Sequence, residues 1–168
     1  MNEKLLTIRP PGPADAVGLG LAWRAILREQ LSGAVDEAYW ESFTEEDSIE
    51  FWHKRLADRG GRRIAVATQS HRIVGLALLE PAPGDDHGYG QPARNVELRA
   101  IGVLSGLTID TALSRLYDYV LPDPVPAQCW VYRINMSLRR FLRTRGFGLD
   151  GLSAIDEATG LEISRMVR

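Results

Sequence analysis

The residues from Asn135 to Phe147, Asn-Met-Ser-Leu-Arg-Arg-Phe-Leu-Arg-Thr-Arg-Gly-Phe, form the most specific pattern in this chain of 168 residues. Asparagine is among the best helix N-caps, and glycine is the usual residue just beyond a helix C terminus. Between these two signals, Leu138, Phe141 and Leu142 recur at the spacing of one helical face. The stretch therefore predicts a capped amphipathic helix that ends at Gly146, with its arginines on a solvated face.

The segments on either side of this helix predict seven strands and three further helices. The strands are predicted over residues 5–9, 63–68, 72–79, 95–104, 127–133, 149–156 and 161–167. The helices are predicted from residue 13 to about residue 31, after a capping box at residues 44–47, and from about residue 112 to residue 120. The order β-α-α-β-β-β-α-β-α-β-β predicts an α/β (α+β) fold, with a mixed central sheet and helices on both faces.

Composition and charge exclude several classes of protein. The chain is 45% hydrophobic and 25% charged, and its formal net charge is -2. At about 150 residues per domain, these values predict a single folded domain over residues 1–168, without a basic field for nucleic acid. No stretch approaches the roughly 18 apolar residues of a membrane span. With Cys129 as its only cysteine, the chain has no internal disulfide, and we expect a cytoplasmic protein.

The segment from residue 80 to residue 94 contains three prolines and three glycines, which predicts a mobile, solvated loop. Its Asp85-Asp86-His87 run is expected to be solvated rather than to bind a metal. The other two histidines, His53 and His71, are not at metal-ligand spacing, so no metal site is predicted.

Three sequence strings, in this element order, resemble the GNAT superfamily of acyl-CoA-dependent N-acetyltransferases. Residues 96–104, Val-Glu-Leu-Arg-Ala-Ile-Gly-Val-Leu, are similar to the family's fourth strand. Asn135, Phe141, Gly146 and Phe147 match the family's Asn-x-x-Ala-x-x-Phe-Tyr-x-x-x-Gly-Phe run without a gap. Residues 24–56 resemble the helices on the acceptor side more loosely. The resemblance implies one GNAT-like domain with a mostly antiparallel sheet.

The resemblance also implies where a cofactor binds. In the family, two adjacent parallel strands separate at the centre of the sheet, and the pantetheine arm of acetyl-CoA or another acyl-CoA lies between them. By this resemblance, the backbone of Ile101, Gly102 and Val103 is expected to bind the pantetheine arm. Asn135 is expected to be a further cofactor-binding residue. Gly102 fits a strand position that needs a close backbone approach, and a simple β-bulge explains it equally well.

Glu97 stands where many GNAT relatives have a general-base glutamate, and an acceptor amine must lose a proton before it attacks a thioester. Strict alternation places Glu97 on one strand face with Arg99, Ile101 and Val103. An ion pair between Glu97 and Arg99 is therefore the alternative, and that pairing lowers the pKa of a carboxyl group and weakens it as a base.

Two departures from the family pattern concern the leaving group and the diphosphate. Leu142 replaces the tyrosine that usually protonates the leaving thiolate, and Tyr132 or Cys129 are the possible substitutes. In the diphosphate loop, bulky residues replace glycines whose backbone amides bind phosphate; they are Ile109, Thr111 and Leu113, with Asp110 where an arginine is common. The sequence therefore predicts weak or absent acetyl-CoA binding in the usual mode.

An aromatic cluster lies in the predicted acceptor region, at Tyr39, Trp40, Phe43, Phe51 and Trp52. We expect about half of these rings to pack in the core. The others are expected to contact an acceptor amine, because aromatic faces attract cations.

Three functions follow from the resemblance. They are acyl transfer to a small-molecule or peptide amine, an inactive GNAT fold that binds a small molecule or protein, and a structural subunit, which includes a homodimer.

Overall fold

The computed structural model describes residues 6–106 and 109–168, without the side chains of residues 109 and 110. Within these residues the strands are β1 (Thr7–Arg9), β2 (Arg63–Gln69), β3 (Arg72–Pro81), β4 (Val96–Val103), β5 (Gln128–Tyr132), β6 (Gly148–Ile155) and β7 (Glu162–Val167). The α-helices are α1 (Ala16–Gln30), α2 (Glu37–Ser42), α3 (Glu45–Ala57), α4 (Ile109–Val120) and α5 (Met136–Thr144).

One sheet contains these strands in the order β1-β2-β3-β4-β5-β7-β6. Among the described residues, β4 and β5 are parallel, and every other neighbouring pair is antiparallel. The predicted mixed, mostly antiparallel sheet is therefore confirmed. From β2 onward, each predicted strand lies within two residues of its observed bounds.

Helices pack on both faces of the sheet, as predicted. On one face, Ile26 of α1 and Trp52 of α3 belong to a core with Leu76 of β3. On the other, Tyr117 of α4 and Leu142 of α5 share a core with residues of β2 to β5 and β7. Because burying one large apolar side chain contributes about 1.5–3 kcal/mol, these two cores hold the helices against the strands.

The helix ends follow local capping chemistry. Thr44 caps α3 and exchanges hydrogen bonds with Asp47, which confirms the capping box. The Asn135 Oδ1 atom accepts a hydrogen bond from the Leu138 backbone at 3.1 Å, so the predicted cap of α5 is also confirmed. Helix α2, which is capped by Asp36, was not predicted from the sequence. Its six residues are too few for a helical period to be recognised.

A β-bulge at Arg99 interrupts β4. Leu78 pairs with Ala100 while Leu79 pairs with Leu98, so Arg99 has no partner on β3. A bulge inserts one residue and changes which side of the strand the later residues face. Leu98 and Ile101 consequently belong to one core, and Ala100 to the other. The prediction that Glu97, Arg99, Ile101 and Val103 share one face is wrong because it assumed strict alternation.

Gly102 lies where α1 crosses β4 closely. A Cβ atom added to Gly102 would collide with Ile26 Cγ2 and lie 3.1 Å from Gln30 Nε2. The bulge explanation is therefore wrong for Gly102, whose pairing with Leu76 is regular. The predicted close approach is present, and it is made by a helix of the same chain.

The segment predicted as a solvated loop is anchored in the protein. Residues Asp86–Gly88 form a short 3-10 turn, and Asp86 has no solvent exposure. Asp86 and His87 both have positive φ angles, 44° and 59°, which non-glycine residues adopt only when their surroundings enforce it. The prediction that Asp86 is solvated is wrong, because the charge that neutralises it lies far away in the sequence, on Arg165.

Candidate functional site

A gap between β4 and β5 is the main concave feature of the sheet. Among the described residues, the two strands share a single backbone bridge, between Glu97 and Gln128. A cavity of about 290 Å³ and a groove of about 450 Å³ open beside these strands, and four residues line both: Gln30, Ile101, Asn135 and Leu138. The gap therefore connects the groove with the cavity.

The groove contains all four residues predicted to bind a cofactor. Ile101, Gly102 and Val103 form one wall, and Asn135 stands at the start of α5 on the opposite wall. Their contact with a cofactor stays a prediction. The geometry matches the predicted separation of two parallel strands, and it brings the four residues together.

Glu29 of α1 occupies the end of the groove where the predicted diphosphate loop begins. Its carboxylate accepts hydrogen bonds from the Ser105 backbone at 3.0 Å and from the Ser105 hydroxyl at 3.2 Å. A backbone N–H that a phosphate could use is therefore bound to a carboxylate. Of the predicted bulky substitutions, Leu113 lines the groove and Thr111 is exposed. The side chains of Ile109 and Asp110 lie outside the described residues.

Aromatic rings form much of the cavity wall, and they come from helices on one side and from β5 on the other. The rings that line the cavity are Trp23, Tyr39, Phe43, Phe51, Trp130 and Tyr132. Trp40 and Trp52 of the predicted cluster are instead buried in the protein. The expectation that about half of that cluster belongs to the core is confirmed.

Asp156, at the turn between β6 and β7, contributes a carboxylate to the cavity. Its Oδ2 atom accepts hydrogen bonds from the Tyr132 hydroxyl at 3.0 Å and from the Thr159 backbone and hydroxyl. No described residue donates to Oδ1 or places a cationic nitrogen within 4.0 Å of Asp156. Burial, followed by the charge of Asp156, raises the pKa of Tyr39.

Tyr132 and Cys129, the possible substitutes for the missing tyrosine, both line the cavity. Burial raises the pKa of Tyr132, and the neighbouring Asp156 carboxylate raises it further. Burial, with a smaller contribution from Glu97, likewise raises the pKa of the Cys129 thiol. Both groups are therefore protonated near neutral pH. Leu142 is fully buried in the core and does not line the cavity.

Arg99 lines the cavity beside a cluster of opposite charges. Its Nε atom is 3.8 Å from Glu80, which is already hydrogen-bonded by Arg55 and Arg62. Burial opposes the charged form of Glu80, but the bonds from Arg55 and Arg62 outweigh it, and the pKa of Glu80 falls below its ordinary value. The predicted Glu97–Arg99 ion pair is wrong, because the bulge directs Arg99 toward Glu80.

Glu97 belongs to a buried polar network next to the gap. Its carboxylate is 2.9 Å from His87 Nε2 and accepts a hydrogen bond from Gln128 Nε2 at 3.1 Å. Glu97 is 1% exposed, and it is not among the residues that line the cavity. Its role as the general base stays a prediction, and that role needs a water to connect the carboxylate with the cavity, because His87 does not line the cavity either.

Asp86 completes this network. One carboxylate oxygen accepts hydrogen bonds from Gln128 Nε2 at 2.7 Å and Trp130 Nε1 at 3.0 Å, and the other is paired with Arg165 at 2.7 Å. Ligand atoms of Asp86, His87 and Glu97 lie within 4.8 Å of one another. Both Asp86 oxygens are already bound by N–H donors, including a guanidinium, so the cluster has the chemistry of a hydrogen-bond network rather than a cation site.

No protein-family model matches the sequence, and no curated protein matches it. Solved structures do match. The PaiA N-acetyltransferase of Thermoplasma acidophilum, solved in complex with coenzyme A, is 17% identical with a TM-score of 0.69, and the match covers 96% of this chain and 98% of that one. This chain has the GNAT fold.

Two further structures extend the GNAT similarity. A GNAT-family acetyltransferase of Bacillus cereus is 13% identical with a TM-score of 0.65, over 98% of this chain and 96% of that one. The ribosomal-protein-alanine N-acetyltransferase of Brucella melitensis is 20% identical with a TM-score of 0.63, over 96% and 98%. In the described part of this GNAT-fold chain, no helix has the length and apolar character needed to cross a membrane.

Proposed function

We propose that this chain is an N-acyltransferase that moves an acyl group from the pantetheine thioester of an acyl-CoA to an amine. The observation that carries the proposal is the gap between β4 and β5, which connects a groove with an aromatic cavity. The groove provides an extended path for a pantetheine arm, and the cavity provides a site where the thioester meets an acceptor. The similarity to an N-acetyltransferase solved with coenzyme A supports this arrangement.

The proposed reaction needs one proton acceptor and one proton donor. The acceptor ammonium loses a proton to Glu97 through a water, and the neutral nitrogen attacks the thioester carbonyl. When the C–S bond breaks, the Tyr132 hydroxyl gives its proton to the thiolate. Burial and the Asp156 charge raise the pKa of Tyr132, so its hydroxyl is protonated before the reaction but is a weaker acid than an ordinary tyrosine. The tyrosinate that the transfer leaves takes up a proton from solvent. Proton transfer by a positioned group typically contributes about 10²–10⁴ in rate.

We further propose that the donor binds weakly through its diphosphate. Glu29 holds the Ser105 amide and places negative charge at the end of the groove. A hydrogen bond to a charged group contributes about 1.5–3 kcal/mol, so losing this one contact reduces affinity about tenfold or more.

The same contact favours a second candidate function, a GNAT-fold module that binds a small molecule or protein without catalysis. We also propose that residues 1–168 form one cytoplasmic domain. A homodimer is a further proposal, and light scattering after size-exclusion chromatography measures it.

Calorimetric titration with acetyl-CoA and longer acyl-CoAs tests the function, together with thiol release in the presence of amines. The Glu29→Ala variant is expected to bind acetyl-CoA about tenfold more tightly than the wild-type chain, because the Ser105 amide is freed for a phosphate oxygen and the carboxylate charge is removed. Glu46→Ala is the matched control, since Glu46 is exposed on α3 and does not line the groove. Absence of thiol release with every acyl-CoA, including in Glu29→Ala, would favour the binding module.

A further inference from the structure

We infer that the acceptor is a small amino-carboxylate, with its ammonium group bound by Asp156 and its carboxylate bound by Arg99. The inference rests on the proposed function, because it identifies the substrate class of the same cavity. It comes from two groups of opposite charge in the wall of that cavity. Asp156 has no cationic partner among the described residues, and Arg99 shares the single carboxylate of Glu80 with two other arginines.

The negatively charged group in the cavity wall is Asp156. Its role in the turn between β6 and β7 uses Oδ2, which takes the bonds from Tyr132 and Thr159. Oδ1 has no donor among the described residues, and no salt bridge within that part of the chain includes Asp156. A carboxylate that is partly removed from water and has no cationic partner is unfavourable. A ligand ammonium group supplies the missing partner.

The aromatic wall around Asp156 suits the same ligand group. Tyr39 and Tyr132 line the cavity with Asp156, and the Asp156 charge contributes to the raised pKa of both hydroxyls, after burial. The faces of aromatic rings attract cations at distances up to about 6 Å. An ammonium group therefore gains from the rings and from the carboxylate together.

The positively charged group in the cavity wall is Arg99, which belongs to a cluster of arginines. Three guanidinium groups, those of Arg55, Arg62 and Arg99, lie within 4.0 Å of a single carboxylate, Glu80. This leaves two positive charges in excess in the cluster. Arg55 stacks 3.6 Å from the ring centre of Phe51, which itself lines the cavity.

Arg99 is the member of the cluster that can bind a ligand anion. It lines the cavity, and among the described residues its guanidinium makes no hydrogen bond, so its donors are available. A guanidinium binds a carboxylate or a phosphate through two parallel hydrogen bonds. A carboxylate is the smaller of the two anions, so it suits this small cavity better, and Asp156 in the wall of the same cavity suits an ammonium group on the same molecule.

The size of the cavity favours a small acceptor. At about 290 Å³, it lies just below the roughly 300–1,000 Å³ range of ligand pockets. It must also hold the acyl group during transfer. An amino acid or another short amino-carboxylate matches this volume and both charges, whereas a simple alkylamine leaves Arg99 without a partner.

Binding measured without an acyl donor tests the inference. The common amino acids are screened by thermal shift, and the best one is compared by calorimetry with its decarboxylated amine and its deaminated acid. We expect the amino acid to bind at least about tenfold more tightly than either analogue, because each analogue lacks one ion pair. An amine or acid that binds as tightly as the amino acid would overturn the inference, as would the absence of binding by any amino acid.

Two variants test which side chain binds the ammonium group of the ligand and which binds its carboxylate. Asp156→Asn keeps oxygen and nitrogen atoms at the turn and is expected to weaken binding of the amino acid and the amine about tenfold, but not that of the acid. Arg99→Gln is expected to weaken binding of the amino acid and the acid, but not that of the amine. Glu157→Gln is the matched control, because Glu157 is exposed next to Asp156 and does not line the cavity. Equal affinities in Asp156→Asn and wild-type protein would contradict the assignment.

These measurements separate the inference from the proposed function. Amino-acid binding with the expected charge dependence, but without acyl transfer, supports the site and contradicts the transferase. Acyl transfer to simple amines, unchanged in Asp156→Asn and Arg99→Gln, supports the transferase and contradicts the inference.

Discussion

Replacing Asp86 with alanine is expected to reduce the unfolding free energy by about 3 kcal/mol. Asp86 has no solvent exposure and receives donors from Gln128, Trp130 and Arg165 at 2.7–3.0 Å. Removing one partner of a buried ion pair costs about 3–5 kcal/mol, because the other charge stays buried. Arg165 keeps its ion pair with Asp150 at 2.7 Å, which places the expected loss at the lower end.

Urea denaturation followed by circular dichroism measures this loss directly. Thermal denaturation is a second measurement of the same loss. For a domain of this size, each kcal/mol shifts the melting temperature by about 2–4 °C, so the melting temperature is expected to fall by about 6–12 °C. Asp85→Ala is the matched control, because Asp85 is exposed and adjacent in sequence. A loss below about 1 kcal/mol in Asp86→Ala, or an equal loss in Asp85→Ala, would refute the reasoning that Asp86 is a buried anchor of the network.

Three other predictions concern titratable groups. Because hydrogen bonds from Arg55 and Arg62 outweigh burial, the pKa of Glu80 lies below its ordinary value. Its stabilising contribution is therefore present above the ordinary glutamate pKa of about 4.3 and is lost as the pH falls through the lowered pKa. The wild-type advantage over Glu80→Gln in urea should shrink as the pH is lowered from about 5, and an advantage independent of pH contradicts this. Tyr132→Phe is expected to lower kcat about 100-fold in thiol-release assays, and an unchanged kcat excludes Tyr132 as the proton donor. Since burial raises the pKa of Cys129, its thiol should react with a disulfide reagent at pH 8 at least about 100-fold more slowly than in urea; equal rates contradict its burial.

Features that depend on neighbouring residues could be predicted from the sequence. The cap at Asn135 and the glycine at position 146 act within one helix, so the limits of α5 followed directly. The capping box from Thr44 to Asp47 is similarly local. The strand at 96–103 was predicted, but the bulge at Arg99 was not, because the bulge depends on pairing with β3.

The polar groups of the site were missed where their partners are distant in sequence. Asp86 pairs with Arg165 across 79 positions, and Glu29 binds Ser105 across 76. Neither pairing leaves a local pattern that sequence reading can recognise. Asp156 was predicted only as the last residue of the strand over 149–156, since its place in the cavity with Tyr39 depends on the packing of α2, a helix that the periodicity did not indicate.

The single bridge between Glu97 and Gln128 has a mechanical consequence. It joins the four strands β1 to β4 to the three strands β5, β7 and β6, and the side chains of the two bridging residues are themselves hydrogen-bonded at 3.1 Å. The backbones of the two parts of the sheet are therefore paired at one point, and elsewhere side-chain packing alone holds β4 and β5 together. A substitution at Gln128, which lines neither the cavity nor the groove, is therefore expected to change the width of both.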